Sequence, residues 1–185
     1  MLTRRALLGA AGLGLAGLAL PRPIGAAAPV EIRMMSDTLG TTVWFDPIGV
    51  RIEPGQAVRF VVHANVHTTA AYHPRNDGHS LRIPEGAEPW DSGFLINPGS
   101  HFDVALTVPG VYDYFCAPHE AAGMVGRLVV GRPAGPGTLP FDYFKGQPGT
   151  EAWKPVPRPA QAAFPSVDAI MRHRVVKKAG ESRTP

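Results

Sequence analysis

Missing from this sequence is any second cysteine. Cys116 stands alone, which excludes an internal disulfide framework. In an oxidising compartment a leftover thiol needs another reason to exist: metal ligation, a partner thiol or burial. Also missing is an apolar run of the ~20 residues that a membrane helix needs; the stretch from Ala6 to Leu20 falls short of that. Charge is scarce, at 18% of residues against 44% hydrophobic, a balance that builds a core and excludes wholesale disorder. A concentrated basic face is absent too. Residues 28–132 carry seven bases and eleven acids, whereas 133–185 carry eight and four, so an acidic domain with a basic tail gives no support for nucleic-acid binding.

What is abundant is punctuation: 20 prolines and 21 glycines in 185 residues. That length holds one ordinary domain plus an export segment and a tail, and the punctuation fits many short strands better than a helical bundle. Residues 1–27 read as the export segment. Thr3-Arg4-Arg5 precedes the apolar run, and Pro21 and the small residues Gly25 to Ala28 follow it. The paired arginines resemble a twin-arginine signal, and cleavage after Ala27 has small residues where a signal peptidase needs them. Cleavage removes three of the 18 bases and none of the 15 acids, leaving a neutral mature chain. Retention of the segment as a membrane anchor is the alternative. Export implies a periplasmic or extracellular protein.

Residues 28–131 read as an all-β unit. Val58, Phe60 and Val62 alternate with Arg59, Val61 and His63, and Phe102, Val104 and Leu106 alternate with Asp103, Ala105 and Thr107, the period of half-buried strands. Glu53-Pro54-Gly55, Asn97-Pro98-Gly99 and Val108-Pro109-Gly110 supply turns between them. The pattern predicts seven or eight short strands in two packed antiparallel sheets. Between them, Thr68–Tyr72 is expected as one strand followed by a long surface excursion to Ile96. Residues 132–185 form a Pro-rich C-terminal extension interleaved with Phe141, Tyr143, Phe144, Trp153 and Phe164. Such a segment is expected to wrap the domain in extended conformation and dock its rings, with Ser166 capping a short helix near 167–174. Residues 177–185 read as frayed.

Chemistry concentrates in Cys116-Ala-Pro118-His119-Glu-Ala-Ala-Gly123-Met124. Singly, Cys116 would be an inert buried residue, His119 a surface imidazole and Met124 a core filler. Together, a thiolate, an imidazole and a thioether on one short loop make a soft, polarizable site. It suits copper shuttling between Cu(I) and Cu(II), and suits zinc poorly.

At these residues the chain resembles the plastocyanin and pseudoazurin branch of the cupredoxins, the type 1 blue copper proteins, over about 100 residues. Their pattern Cys-x-x-His-x-x-x-x-Met, with Pro before the His and Gly before the Met, is complete here, and a Pro-Gly-Val-Tyr turn precedes it. The resemblance implies a Greek-key β-sandwich and one copper ion held by Cys116, His119, Met124 and an upstream histidine. Family members place that histidine seven or eight residues beyond the Phe of a Val-x-Phe strand, which selects His67 after Phe60. His63 would share the solvent face of Arg59. His73 is the second choice, while His79 and His101 read as ordinary loop histidines. Where the family follows this ligand with Asn, Thr68 stands here, which puts the bracing of the ligand loops in question. Tyr112 and Tyr114 share the face of Cys116 and should pack inward. Phe115 points to the other face, open for docking or covered by the tail.

The implied function is outer-sphere one-electron transfer without catalysis, because no coordination position is left open for a small-molecule substrate. Redox proteins such as cytochromes, oxidases or reductases are the expected partners, and a membrane is one only if the signal is retained. A copper-delivery protein using the same ligands is the alternative, as is a copper-bearing subunit docked to a larger redox complex. A multicopper oxidase would need many more than seven histidines, and a dinuclear copper-A site a second cysteine.

Overall fold

Along Ala57–Val62 every second side chain, Val58, Phe60 and Val62, is buried, while those between are half exposed. One face therefore meets a core. In the computed structural model, which describes residues 28–178, this segment is β4. It follows β1 (Val30–Ser36), β2 (Val43–Asp46) and β3 (Gly49–Ile52) and precedes β5 (Ala70–Ala71), β6 (His101–Ala105), β7 (Gly110–Phe115), β8 (Val125–Val130) and β9 (Val175–Val176). Two short helices, α1 (Arg158–Ala163) and α2 (Val167–His173), lie between β8 and β9. No helix of the described residues is long and apolar enough to cross a membrane. The export segment expected at residues 1–27 lies outside the described residues, as do residues 179–185 of the expected frayed end.

The strands form two sheets, β2-β1-β4-β6 and β5-β7-β8-β3-β9. Both are mixed rather than purely antiparallel: β1 runs parallel to β4, and β3 parallel to β8. After β2 the chain crosses to the second sheet for β3 and returns for β4, and such a crossover brings a strand back in its starting direction. Two of the expected turns are closed by glycine at positive φ. Gln56 N–H donates to Glu53 O around Gly55 (φ 84°), and Ser100 N–H to Asn97 O around Gly99 (φ 85°), a turn geometry that disfavours a Cβ. The strand expected at Thr68–Tyr72 shortens to Ala70–Ala71, wedged between β7 and residues 90–92.

Between the sheets, Phe45, Phe60, Trp90, Tyr112 and Tyr114 pack with Cys116 and Met124 in one buried cluster. Edge-on contacts such as Phe45–Tyr114 at 4.8 Å between ring centres suit the aromatic quadrupole. Unlike β4, strands β7 and β8 are buried on both faces. Their outer face is covered by the C-terminal extension: Val156 and Ala160 pack on Phe115 and Val125, and Ile170 on Val111 and Val129.

The extension is not a drawn-out wrapper. It folds into turns and helices because its prolines sit where a missing N–H costs nothing, as Pro159 does in the first turn of α1. Ser166 Oγ accepts from Ala169 N–H at the start of α2, and β9, free of proline, pairs with β3. Two buried arginines bind the extension to the sheet. Arg82 and Arg127 share the wholly buried Asp113 on β7 at 2.7 and 2.6 Å. Arg82 also donates to Gly137 O and Leu139 O, and Arg127 to Pro165 O.

Candidate metal centre

Strand β7 ends one residue before Cys116. The chain then makes a single 3-10 turn, Ala117–Ala122, reverses at Gly123 (φ 83°) and returns as β8 after Met124. Three backbone bonds close the loop: His119 N–H to Cys116 O at 2.9 Å, Met124 N–H to His119 O at 3.1 Å and Cys116 N–H to Met124 O at 3.0 Å. The backbone of residues 116, 119 and 124 is thus drawn together by bonds within the loop.

From the segment between β4 and β5 comes His67, whose backbone exchanges two hydrogen bonds with Leu95. Its Nδ1 lies 3.7 Å from Cys116 Sγ, and His119 Nδ1 lies 3.4 Å from the same sulfur. An ion about 2.3 Å from a thiolate and about 2.0 Å from an imidazole nitrogen separates those donors by roughly 3.5–3.7 Å at bond angles of about 110–120°. The three side chains therefore fit one shared ion. Among the described residues, this is the one set of three or more His, Cys, Asp or Glu side chains whose ligating atoms so converge, all within 4.8 Å. Met124 is wholly buried in the same cluster as Cys116.

Two neighbours orient the site. Ser36 Oγ, at the end of β1, lies 3.2 Å from His67 Nε2. With Nδ1 given to a metal, Nε2 would carry the proton and donate to Ser36, which would fix the ring. Thr68 meets the loop twice: its N–H points at Cys116 Sγ, 3.3 Å away, and its Oγ1 accepts from Ala117 N–H at 2.7 Å. The departure from Asn at this position therefore leaves the ligand loops braced, by a hydroxyl instead of an amide.

Burial dominates the protonation of the cluster. It pushes His67 down to about 4, with the His119 charge adding to the effect, and lowers His119. It raises the Cys116 thiol despite the opposing Thr68 contacts. All three shifts favour the uncharged forms of the metal-free side chains. A metal cation held by Cys116 would displace the thiol proton, which would couple affinity to pH.

The other histidines lie apart from this cluster. His63 and His101 are exposed, and His73 is half-buried with Nδ1 accepting from Arg75 N–H. His79 is not the ordinary loop histidine expected. It is buried against Phe115, with ring centres 4.3 Å apart, and paired with Glu120 at 3.1 Å. Burial opposes its charged form, but the Glu120 and Asn76 bonds and the charges of Glu120 and Asp77 outweigh this and raise its pKa. Sequence reasoning missed Ser36 and this pair. The one local signal was an acid, Glu120, directly after His119. Phe115 is 3% exposed and covered by the extension.

Two packed β-sheets with one thiol and two imidazoles converging at one end define a mononuclear copper protein of the cupredoxin class. The family model for copper-binding proteins of the plastocyanin/azurin family matches residues 32–131. Similar relatives include pseudoazurin of Methylorubrum extorquens, 33% identical over 71% of this chain and 80% of that protein. Chloroplastic plastocyanin of Chlamydomonas reinhardtii is 33% identical over 65% of this chain and 78% of that one. Among solved structures, pseudoazurin from Hyphomicrobium denitrificans is 30% identical, with a TM-score of 0.46 over 57% of this chain and 77% of that one. The chain belongs to the plastocyanin/azurin family of copper-binding proteins; its cofactor is copper and its broad function electron transfer.

Proposed function

We propose that the chain is an exported one-electron carrier in which His67, Cys116, His119 and Met124 hold a single copper ion. The organisation proposed with it is an export signal at 1–27, a copper domain at 28–131 and an extension at 132–185. The observation that carries the reading is the approach of two imidazole Nδ1 atoms to one buried sulfur, at 3.4 and 3.7 Å. Copper bound there supplies one-electron chemistry between Cu(I) and Cu(II).

The protein's part is rigidity and access. Ser36 holds the His67 ring, and Thr68 donates to the sulfur and ties the loop through Ala117. A frame fixed by such bonds changes little between redox states, which keeps the reorganisation cost of transfer small. His67, Cys116 and Met124 are buried, whereas His119 is partly open amid the exposed Ala117, Pro118, Ala121 and Ala122. Its imidazole edge is the port for outer-sphere transfer to a redox protein such as a cytochrome, oxidase or reductase. On the His67 side, Val66 and Ile96 face one another across the His67–Leu95 pair and are exposed together with Phe94. Apolar surface beside a half-open ligand suits brief encounters burying less than ~1,200 Å².

The copper-loaded protein is expected to show an intense visible thiolate-to-copper band that Cys116→Ser abolishes. His67→Ala loses the normal spectrum and His73→Ala keeps it. A colourless wild type rejects the reading, and the opposite histidine result moves the ligand. Stopped-flow mixing with candidate cytochromes tests transfer, and the mass of the secreted protein tests cleavage after Ala27.

A further inference from the structure

The turn that carries His119 has little to hold it. None of the six residues Ala117–Ala122 is buried, and the residue before the turn, Cys116, makes no side-chain capping bond to it. Yet this turn must keep His119 at a fixed distance from Cys116 while its edge faces solvent. Beyond the backbone bonds, Thr68 and the Tyr72 hydroxyl, which donates to Glu120, the turn is reached from the segment after residue 132 at two points. Gly123 closes on α1, where a Cβ would lie 3.3 Å from Pro159 O. The second point is a side-chain relay on the opposite flank.

We propose that the C-terminal extension positions His119 through a relay of three residues, Lys154, His79 and Glu120. The inference rests on Cys116 and His119 being copper ligands. The extension supplies the first link by backbone pairing: Lys154 N–H donates to Gly78 O at 2.7 Å, and Ser80 N–H donates to Lys154 O at 3.0 Å. These bonds bracket His79 and set its ring. The second link is the ring itself. Its Nδ1 lies 2.7 Å from Asn76 O and its Nε2 3.1 Å from Glu120 Oε2. The Asn76 carbonyl and the Glu120 carboxyl oxygen are both acceptors, so the His79 ring is held between two fixed points by its two nitrogens. The third link is Glu120, whose other oxygen accepts from Tyr72 O–H at 2.7 Å.

The His79 and Glu120 side chains are 8% and 13% exposed, so water compensates poorly if either is withdrawn. The relay grips the metal loop at both ends of the ligand pair. Glu120 follows His119, and the His79 ring lies on Phe115, which precedes Cys116. Neither His79 nor Glu120 belongs to the converging donor set. Both act through their neighbours, as positioning residues.

The test uses His79→Ala, His79→Gln, Glu120→Gln and Lys154→Pro, the last removing the N–H that meets Gly78. Hydrogen exchange at the amides of His119, Gly123 and Met124 is measured in metal-free protein. Visible and EPR spectra and the reduction potential are measured in copper-loaded protein. His79→Ala should speed exchange at these amides by about tenfold, the effect of losing one buried hydrogen bond. It should also alter the relative intensities of the thiolate bands and move the potential. His79→Gln, which keeps a donor toward Glu120, should recover part of both, and Lys154→Pro should reproduce the loop change. Unchanged exchange and spectra in His79→Ala overturn the relay. Exchange that rises in Lys154→Pro only at residues 78–80 overturns the part given to the extension. Should His79→Ala fail to fold, Glu120→Gln keeps the side-chain volume and the Tyr72 bond, and wild-type loop exchange in that variant overturns the relay equally. A colourless wild type whose loop exchange still responds counts against the copper ligands and leaves the relay standing.

Discussion

Thr68 illustrates how much one side chain decides at this site. Its Oγ1 takes the Ala117 N–H at the mouth of the loop, and its own N–H faces the Cys116 sulfur. Removing the hydroxyl takes the acceptor from the part-buried Ala117 N–H, a loss of about 0.5–1.5 kcal/mol for an ordinary hydrogen bond. Thr68→Ala is therefore expected to lower stability by that amount, while Thr68→Ser stays within about 1 kcal/mol of wild type. Denaturant unfolding of the metal-free protein measures both. At the same scale lies the contrast between the two buried histidines. His67 is pushed down by burial and aimed at the sulfur, whereas for His79 the opposing burial is outweighed by Glu120 and Asn76, which raise its pKa.

Among the elements, β7 and β8 carry the site, because the loop between them supplies both Cys116 and His119. Their pairing sets Tyr114 opposite Gly126, and the tyrosine ring occupies the space over that glycine. A Cβ there would collide with the Tyr114 hydroxyl and ring. Gly126→Ala should cost about 1–3 kcal/mol, the usual penalty for overpacking a rigid core, read as a fall in the unfolding midpoint. The strands around them were legible from period two where one face meets solvent, as in β4. In β7 and β8 every residue is buried, so alternation carries no information there, and the covering layer could not be read from these strands. Nor could the parallel pairings, which depend on the order in which the chain visits the two sheets.

Across the whole molecule, the extension behaves as a third layer. Asp113, buried on β7, holds Arg82 and Arg127, and both arginines reach on to backbone carbonyls at residues 137, 139 and 165. Asp113→Asn leaves two buried guanidinium groups uncompensated, which typically costs 3–5 kcal/mol. The exposed pair Arg59–Asp103, at 40% and 42% exposure, should cost no more than about 1 kcal/mol when Asp103→Asn breaks it. Thermal and denaturant unfolding of the two variants side by side reads the difference. Equal losses would mean that the extension is not tied down through Asp113.

The sequence by itself determined the short loop that carries Cys116, His119 and Met124. Cys116, His119 and Met124 lie within nine residues, and so short a turn between two strands brings its own members together whatever surrounds it. It determined the strand character of β4 and the turns at Gly55 and Gly99, where period and φ are local properties. Only the tertiary structure decided what completes and supports that loop. His67, Ser36 and His79 meet their partners across 49, 31 and 41 residues respectively, and contacts at such separation follow from which sheets pack together. The covering of Phe115 was decided there too, because the extension's aromatic and proline residues fit several docking arrangements until two buried arginines fix one.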